Sequence, residues 1–122
     1  MRYKKFLLFF VCVLFISCNK KIEIYGQWEN EDRKLVFDLN DIFVIEYKHP
    51  NQIQAFRGTY TQKKNIVVLI FEEYKTSDNV WISTYNTTLA EHKEVLNITI
   101  TENNLTTKIV STGKEYSYLK IP

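Results

Sequence analysis

Residues 54–75 read QAFRGTYTQKKNIVVLIFEEYK, two β-rich runs on either side of a polar connection. In the first run Phe56, Gly58 and Tyr60 recur at every second position, with Arg57, Thr59 and Thr61 between them. Successive side chains of a strand point to opposite faces, so this spacing gives one face to the apolar set. The second run, Asn65–Lys75, is rich in β-branched residues, which suit a pleated surface. Lys63-Lys64-Asn65 between them has turn chemistry, so the stretch reads as an antiparallel hairpin.

The same pattern extends outward in both directions. Leu35, Phe37 and Leu39 alternate within Arg33–Leu39, and Phe43, Ile45 and Tyr47 within Ile42–Lys48. After the hairpin come Asn79–Leu89, Glu94–Thr101, Asn104–Val110 and Glu115–Ile121. Asn40-Asp41, Ser77-Asp78-Asn79, Asn103-Asn104 and Thr112-Gly113-Lys114 supply turns that tolerate left-handed backbone. His49-Pro50-Asn51 and Ala90–Lys93 are longer connections, and no helical period of useful length follows residue 18. The expectation is an all-β fold, an up-and-down antiparallel meander of about eight strands. Closing it into a small barrel removes the exposed edges. An immunoglobulin-like sandwich is the competing arrangement, but the domain has no cysteine pair and few long crossovers.

The chain opens MRYKKFLLFFVCVLFISC. Arg2, Lys4 and Lys5 precede an unbroken apolar run from Phe6 to Ile16, and Ser17 supplies a small residue. A basic start, a short apolar run and a small-residue cleavage site describe a secretory signal peptide. The run falls short of the roughly 20 apolar residues that span a bilayer. Phe15-Ile16-Ser17-Cys18 resembles the lipobox of bacterial lipoproteins, with Phe15 standing where leucine is usual. That resemblance implies diacylglyceryl transfer to the Cys18 sulfur, cleavage before Cys18 and fatty acylation (palmitate or a similar chain) of the new amino terminus. Two or more acyl chains anchor stably where one does not. The expected division is a signal peptide over 1–17, a lipidated tether over 18–24 and a folded domain over 25–122, held at the bacterial cell envelope.

Removing residues 1–17 takes away three of the 16 basic residues and none of the 14 acidic ones, leaving a net charge of −1. A near-neutral domain is a poor partner for nucleic acid, which demands a basic face. Cys12 lies in the leader, so the mature chain has no disulfide and folds on apolar burial alone.

Tyr25-Gly26-Gln27-Trp28 at the start of the domain resembles the Gly-x-Trp signature on the first strand of lipocalins. Phe56–Thr61 with Asn65–Leu69, and Lys114–Lys120 at the end, are similar to segments of small bacterial lipocalin-like lipoproteins. In lipocalins a late arginine packs on that tryptophan. No arginine follows Arg57 here, so Lys114 or Lys120 would have to take its place. The resemblance implies a small barrel that is either filled by side chains or holds one small ligand. The residues expected to line or fill it are Trp28, Phe43, Ile45, Tyr47, Phe56, Tyr60, Trp81 and Tyr85.

No pattern of catalytic residues supports an enzyme, and no cofactor is expected. Glu72 and Glu73 are adjacent, so on a regular strand they face opposite ways and cannot act on one substrate together. His49 and His92 sit in separate loops without the three or four convergent ligands a metal needs. Asn65–Tyr74 is apolar on both faces, which suggests that a loop, the tether or a partner covers the outer one. The expected function is binding of a small apolar or amphipathic molecule by a lipid-anchored domain. The alternative is a protein-interaction module, an inhibitor or assembly subunit, whose outer face around Val67 to Phe71 meets a protein.

Overall fold

The computed structural model describes residues 23–84 and 92–122; Cys18 and Tyr85 lie outside the described residues. Nine strands follow in chain order: β1 (Gly26–Glu29), β2 (Arg33–Phe37), β3 (Ile42–Tyr47), β4 (Ile53–Lys63), β5 (Ile66–Thr76), β6 (Trp81–Ser83), β7 (Lys93–Thr101), β8 (Asn104–Ile109) and β9 (Glu115–Lys120). Every pairing is antiparallel, and β9 returns to β1 through Trp28↔Lys120 and Glu29↔Leu119. All strands except β6 thus close into an eight-stranded up-and-down barrel, compatible with a lipocalin-like one.

The run Asn79–Leu89 behaves differently from its reading as one long strand. Within its described part only Trp81–Ser83 is strand, and it is not a stave of the barrel. The eighth stave is the short β1 that carries Trp28. The cause lies in β5, whose first half pairs with β7 through Ile66–Ile70 and whose end diverges to pair with β6 through Glu73–Lys75.

The turns follow local chemistry. Asp41, Lys64, Asn79 and Gly113 have positive φ, each in a segment expected to turn. In the β7–β8 hairpin the left-handed residue is Glu102, because Thr101↔Asn104 pairing puts the two-residue loop at Glu102-Asn103. Asp38 organises the β2–β3 turn, its carboxylate accepting from the amides of Asn40 and Ile42.

The inward faces of the staves interdigitate into one core containing Trp28, Leu35, Phe37, Phe43, Ile45, Tyr60, Val67, Leu69, Leu96, Ile98, Leu105 and Tyr118. Six rings form a chain of tilted and edge-to-face contacts along it. Tyr60 meets Phe37 at 5.0 Å, Phe37 meets Phe43 at 6.5 Å, and Phe43 meets Phe71 at 5.2 Å. Phe71 then meets Phe56 at 5.3 Å, and Phe56 meets Tyr47 at 6.2 Å. Tilted and T-shaped ring pairs suit the aromatic quadrupole and add to plain area burial.

One end of the barrel is sealed. Trp28 Nε1 donates to the Ile24 carbonyl at 2.8 Å, and the Ile24 amide donates to Gln62 Oε1 at 3.0 Å. Ile24 is thereby drawn across the opening and fully buried. The Tyr60 hydroxyl donates to the Asp38 carbonyl at 2.7 Å at the same end. Lys120 supplies the late cation, its Nζ 5.6 Å from the centre of the Trp28 ring.

On β5, Val67, Leu69 and Phe71 face inward, which leaves Ile66, Val68 and Ile70 for the outer surface. Ile70 is exposed, while Ile66 and Val68 are half-buried. A bulge opposite Arg57 and Gly58 changes the reading of the glutamates. Glu73 pairs with Arg57 Nε at 2.9 Å, and Glu72 accepts from Thr59 Oγ1 at 3.3 Å. Arg57 and Thr59 both face outward, so the bulge's extra residue brings the two carboxylates to the same side. Each still has its own partner there.

Candidate functional site

The other end of the barrel is open, and a cavity of about 270 Å³ lies in it. Its wall is built from strand ends: Arg33 begins β2, Ile45 and Tyr47 end β3, Phe56 lies near the start of β4, and Lys93 and Glu94 begin β7. Phe71 closes the floor on β5, and Thr84, His92 and Ser111 complete the rim. Below that floor the core residues fill the barrel, so the space is a shallow mouth and not a deep calyx.

Period two explains why charged groups enter this mouth. Arg33 shares its face with Leu35 and Phe37, and Glu94 shares its face with Leu96 and Ile98. Both faces point inward. The Arg33 guanidinium lies 5.3 Å from the centre of the Tyr47 ring and 4.3 Å from that of Tyr116. Its Nε is buried without a hydrogen-bond partner. Thr84 is fully buried, and its hydroxyl donates within reach of the Phe71 and Glu72 carbonyls at 2.9 and 3.0 Å. It thereby ties the chain leaving β6 to the bulge in β5. The Phe71 amide donates to the His92 carbonyl, which holds the start of β7 against the same point.

Three tyrosines of the interior have raised pKa values. Burial pushes Tyr118 up to about 12, although Arg33 nearby and hydrogen bonding with Thr107 and Arg33 act the other way. Burial also raises Tyr47, opposed by Arg33 and reinforced by Glu94 and Tyr116, and it raises Tyr60, reinforced by Asp41 and Asp38. An unfolded tyrosine ionises near 10. Above that pH the unfolded chain gives up its proton first, so stability should be complete below pH 10 and decline as pH rises toward about 12. Urea melts across that range check the decline, and Tyr118→Phe should flatten it. A wild-type profile without any decline would contradict the buried, neutral phenol.

The lining or core residues singled out from sequence, Tyr85 apart, divide into three groups. Trp28, Phe43, Ile45 and Tyr60 are buried in the core, with Trp28 and Tyr60 toward the sealed end. Tyr47 and Phe56 are half-buried and line the mouth. Trp81 departs from its expected inward position. It shares a row with Lys75, Ala55 and exposed Glu46 on the outer face, with the Arg57 guanidinium 4.1 Å from its ring centre. The reason is that β6 pairs alongside β5 outside the barrel wall. Arg33, Thr84, His92, Lys93, Glu94 and Ser111 were not singled out as a site by their sequence. For Arg33 and Glu94 the signal was present, since each continues an inward period-two series by one residue. For the others no local signal existed.

Among the described residues no group of three His, Cys, Asp or Glu could hold a metal ion. The chain matches no protein-family model, and neither a curated protein nor a solved structure matches it.

Proposed function

We propose that this chain is a lipid-anchored, lipocalin-like protein of the bacterial envelope that binds a small amphipathic molecule in the mouth of its barrel. The observation that carries the reading is the cavity of about 270 Å³, with Ile45, Tyr47, Phe56 and Phe71 as an apolar wall and Arg33 as a polar group. An aromatic wall with a few placed polar groups is the usual make-up of a ligand site. The volume lies just under the roughly 300–1,000 Å³ that such sites span, which favours a compact ligand. The anchor rests on the lipobox-like Phe15–Cys18, outside the described residues.

Native mass spectrometry of the full chain, released gently from its membrane, tests the binding. The expected result is a small additional mass on the protein, and a rise in melting temperature with small amphipaths. A ligand-free chain that no member of such a panel stabilises would sink the reading. Cys18→Ala is expected to abolish fatty-acid labelling and leave uncleaved precursor; labelling that persists would place the anchor elsewhere. The interaction-module alternative finds less support, because Val67, Leu69 and Phe71 face the core and only Ile70 of the outward set is well exposed.

A further inference from the structure

The cavity holds a cation, Arg33, that forms no ion pair among the described residues. No carboxylate of the described residues forms an ion pair with Arg33; the pairs at 3.0 and 2.9 Å are Lys48–Glu29 and Arg57–Glu73, both elsewhere. A guanidinium presents five N–H donors. Here the neighbours are the faces of Tyr47 and Tyr116 and the hydroxyl of Tyr118, while Nε has no acceptor at all. Aromatic faces favour the cation but offer no acceptor in the guanidinium plane, and Nε is left without one. Burying a charged donor without an acceptor is costly, so it persists where an acceptor arrives from outside. Arg33 and Lys93 against Glu94 leave the lining with net positive charge.

We propose that the ligand of this mouth is a small organic carboxylate, its head paired with the Arg33 guanidinium and its apolar body against Phe56 and Phe71. The proposal rests on the binding function argued above and adds the chemical class of the ligand. Planar guanidinium and planar carboxylate match in geometry, and the pair strengthens where water is excluded. Tyr47 and Tyr116 both contact the guanidinium, which restricts its orientation before the ligand enters.

The test compares 3-phenylpropionate with its uncharged counterpart 3-phenylpropanamide, titrated calorimetrically into the full chain in lipid nanodiscs. The acid should bind roughly tenfold tighter or better, the scale of a charge-assisted hydrogen bond over a neutral one. In Arg33→Gln, which keeps a similar stem and removes the charge, that preference should shrink to less than about threefold. The wild-type comparison stands alone if the variant fails to fold. Equal binding of acid and amide by the wild type, or a preference that survives in Arg33→Gln, overturns the carboxylate assignment and leaves the binding function standing. Binding of neither compound, at concentrations where other small amphipaths do bind, overturns the carboxylate assignment alone. Failure of the whole panel removes both.

Discussion

Gly58→Ala is expected to cost about 3 kcal/mol of stability, a large effect for one methyl group. Gly58 sits at the bulge where β4 and β5 come closest, opposite Phe43 on β3 and Phe71 on β5. A Cβ there would fall onto the Ile70 carbonyl oxygen and lie 2.9 Å from the carbonyl carbon and 3.0 Å from the Glu72 amide nitrogen. These are backbone atoms, so no rotamer change relieves the clash. The strands must separate just where the bulge, Thr84 and the carbonyl of His92 are tied together. For a domain of this size the loss corresponds to roughly 15 °C in melting temperature. Gly113→Ala provides the contrast. Its position has φ +75° but open space around it, so only the left-handed backbone term of about 1–2 kcal/mol applies. Equal melting temperatures for Gly58→Ala and wild type would show that β4 and β5 do not approach as described.

Trp28→Ala should destabilise the protein by about 3–5 kcal/mol, the range for emptying a large aromatic site. Trp28 is 1% exposed and lies between β2 and β9 on the shortest complete stave. Its removal also leaves the Ile24 carbonyl without the indole N–H that now bonds it. The plug at the sealed end would then loosen, because the indole supplies one of the two hydrogen bonds that tie down Ile24. Trp28→Phe separates the two contributions. It keeps most of the apolar body and loses the hydrogen bond, so about 1–3 kcal/mol of the effect should remain. Urea unfolding of both variants checks the split, and amide exchange of Tyr25 and Gly26 should accelerate in each. A Trp28→Ala domain as stable as wild type would remove the indole from its structural role.

The two variants act in different parts of the core. Trp28 belongs to the sealed end with Phe37 and Tyr60, and Gly58 to the region of Phe71 beneath the mouth. A ligand in the mouth should therefore stabilise Trp28→Phe as much as it stabilises wild type, since the sealed end does not line the cavity.

Much of this architecture was legible along the chain, and the misses have identifiable causes. Alternation in 33–37, 42–47 and 54–61 gave strands and faces because β2 and β3 pair regularly with their neighbours and β4 pairs regularly with β3. Leu39, expected to continue the first inward series, is instead exposed in the turn after β2. Alternation broke down at Glu72-Glu73, where a bulge inserts one residue and shifts the parity. It failed again at Trp81, whose strand is regular but pairs outside the wall. Arg33 was readable as an inward residue but not as a cation set against aromatic rings, since its neighbours Tyr47 and Tyr116 are 14 and 83 positions away.

The sequence by itself determined the strand class, the meander order and most of the core, because period two and turn chemistry are local properties of the chain. Lys120 over Trp28 could be anticipated as one of two choices. Only the tertiary structure decided where the barrel is filled and where it is open. That outcome depends on side-chain volumes meeting across eight strands, on the bulge at Gly58 and on which edge β6 joins. None of these is encoded in any one stretch. The mouth, and the guanidinium that forms no ion pair there among the described residues, exist only once the staves are closed.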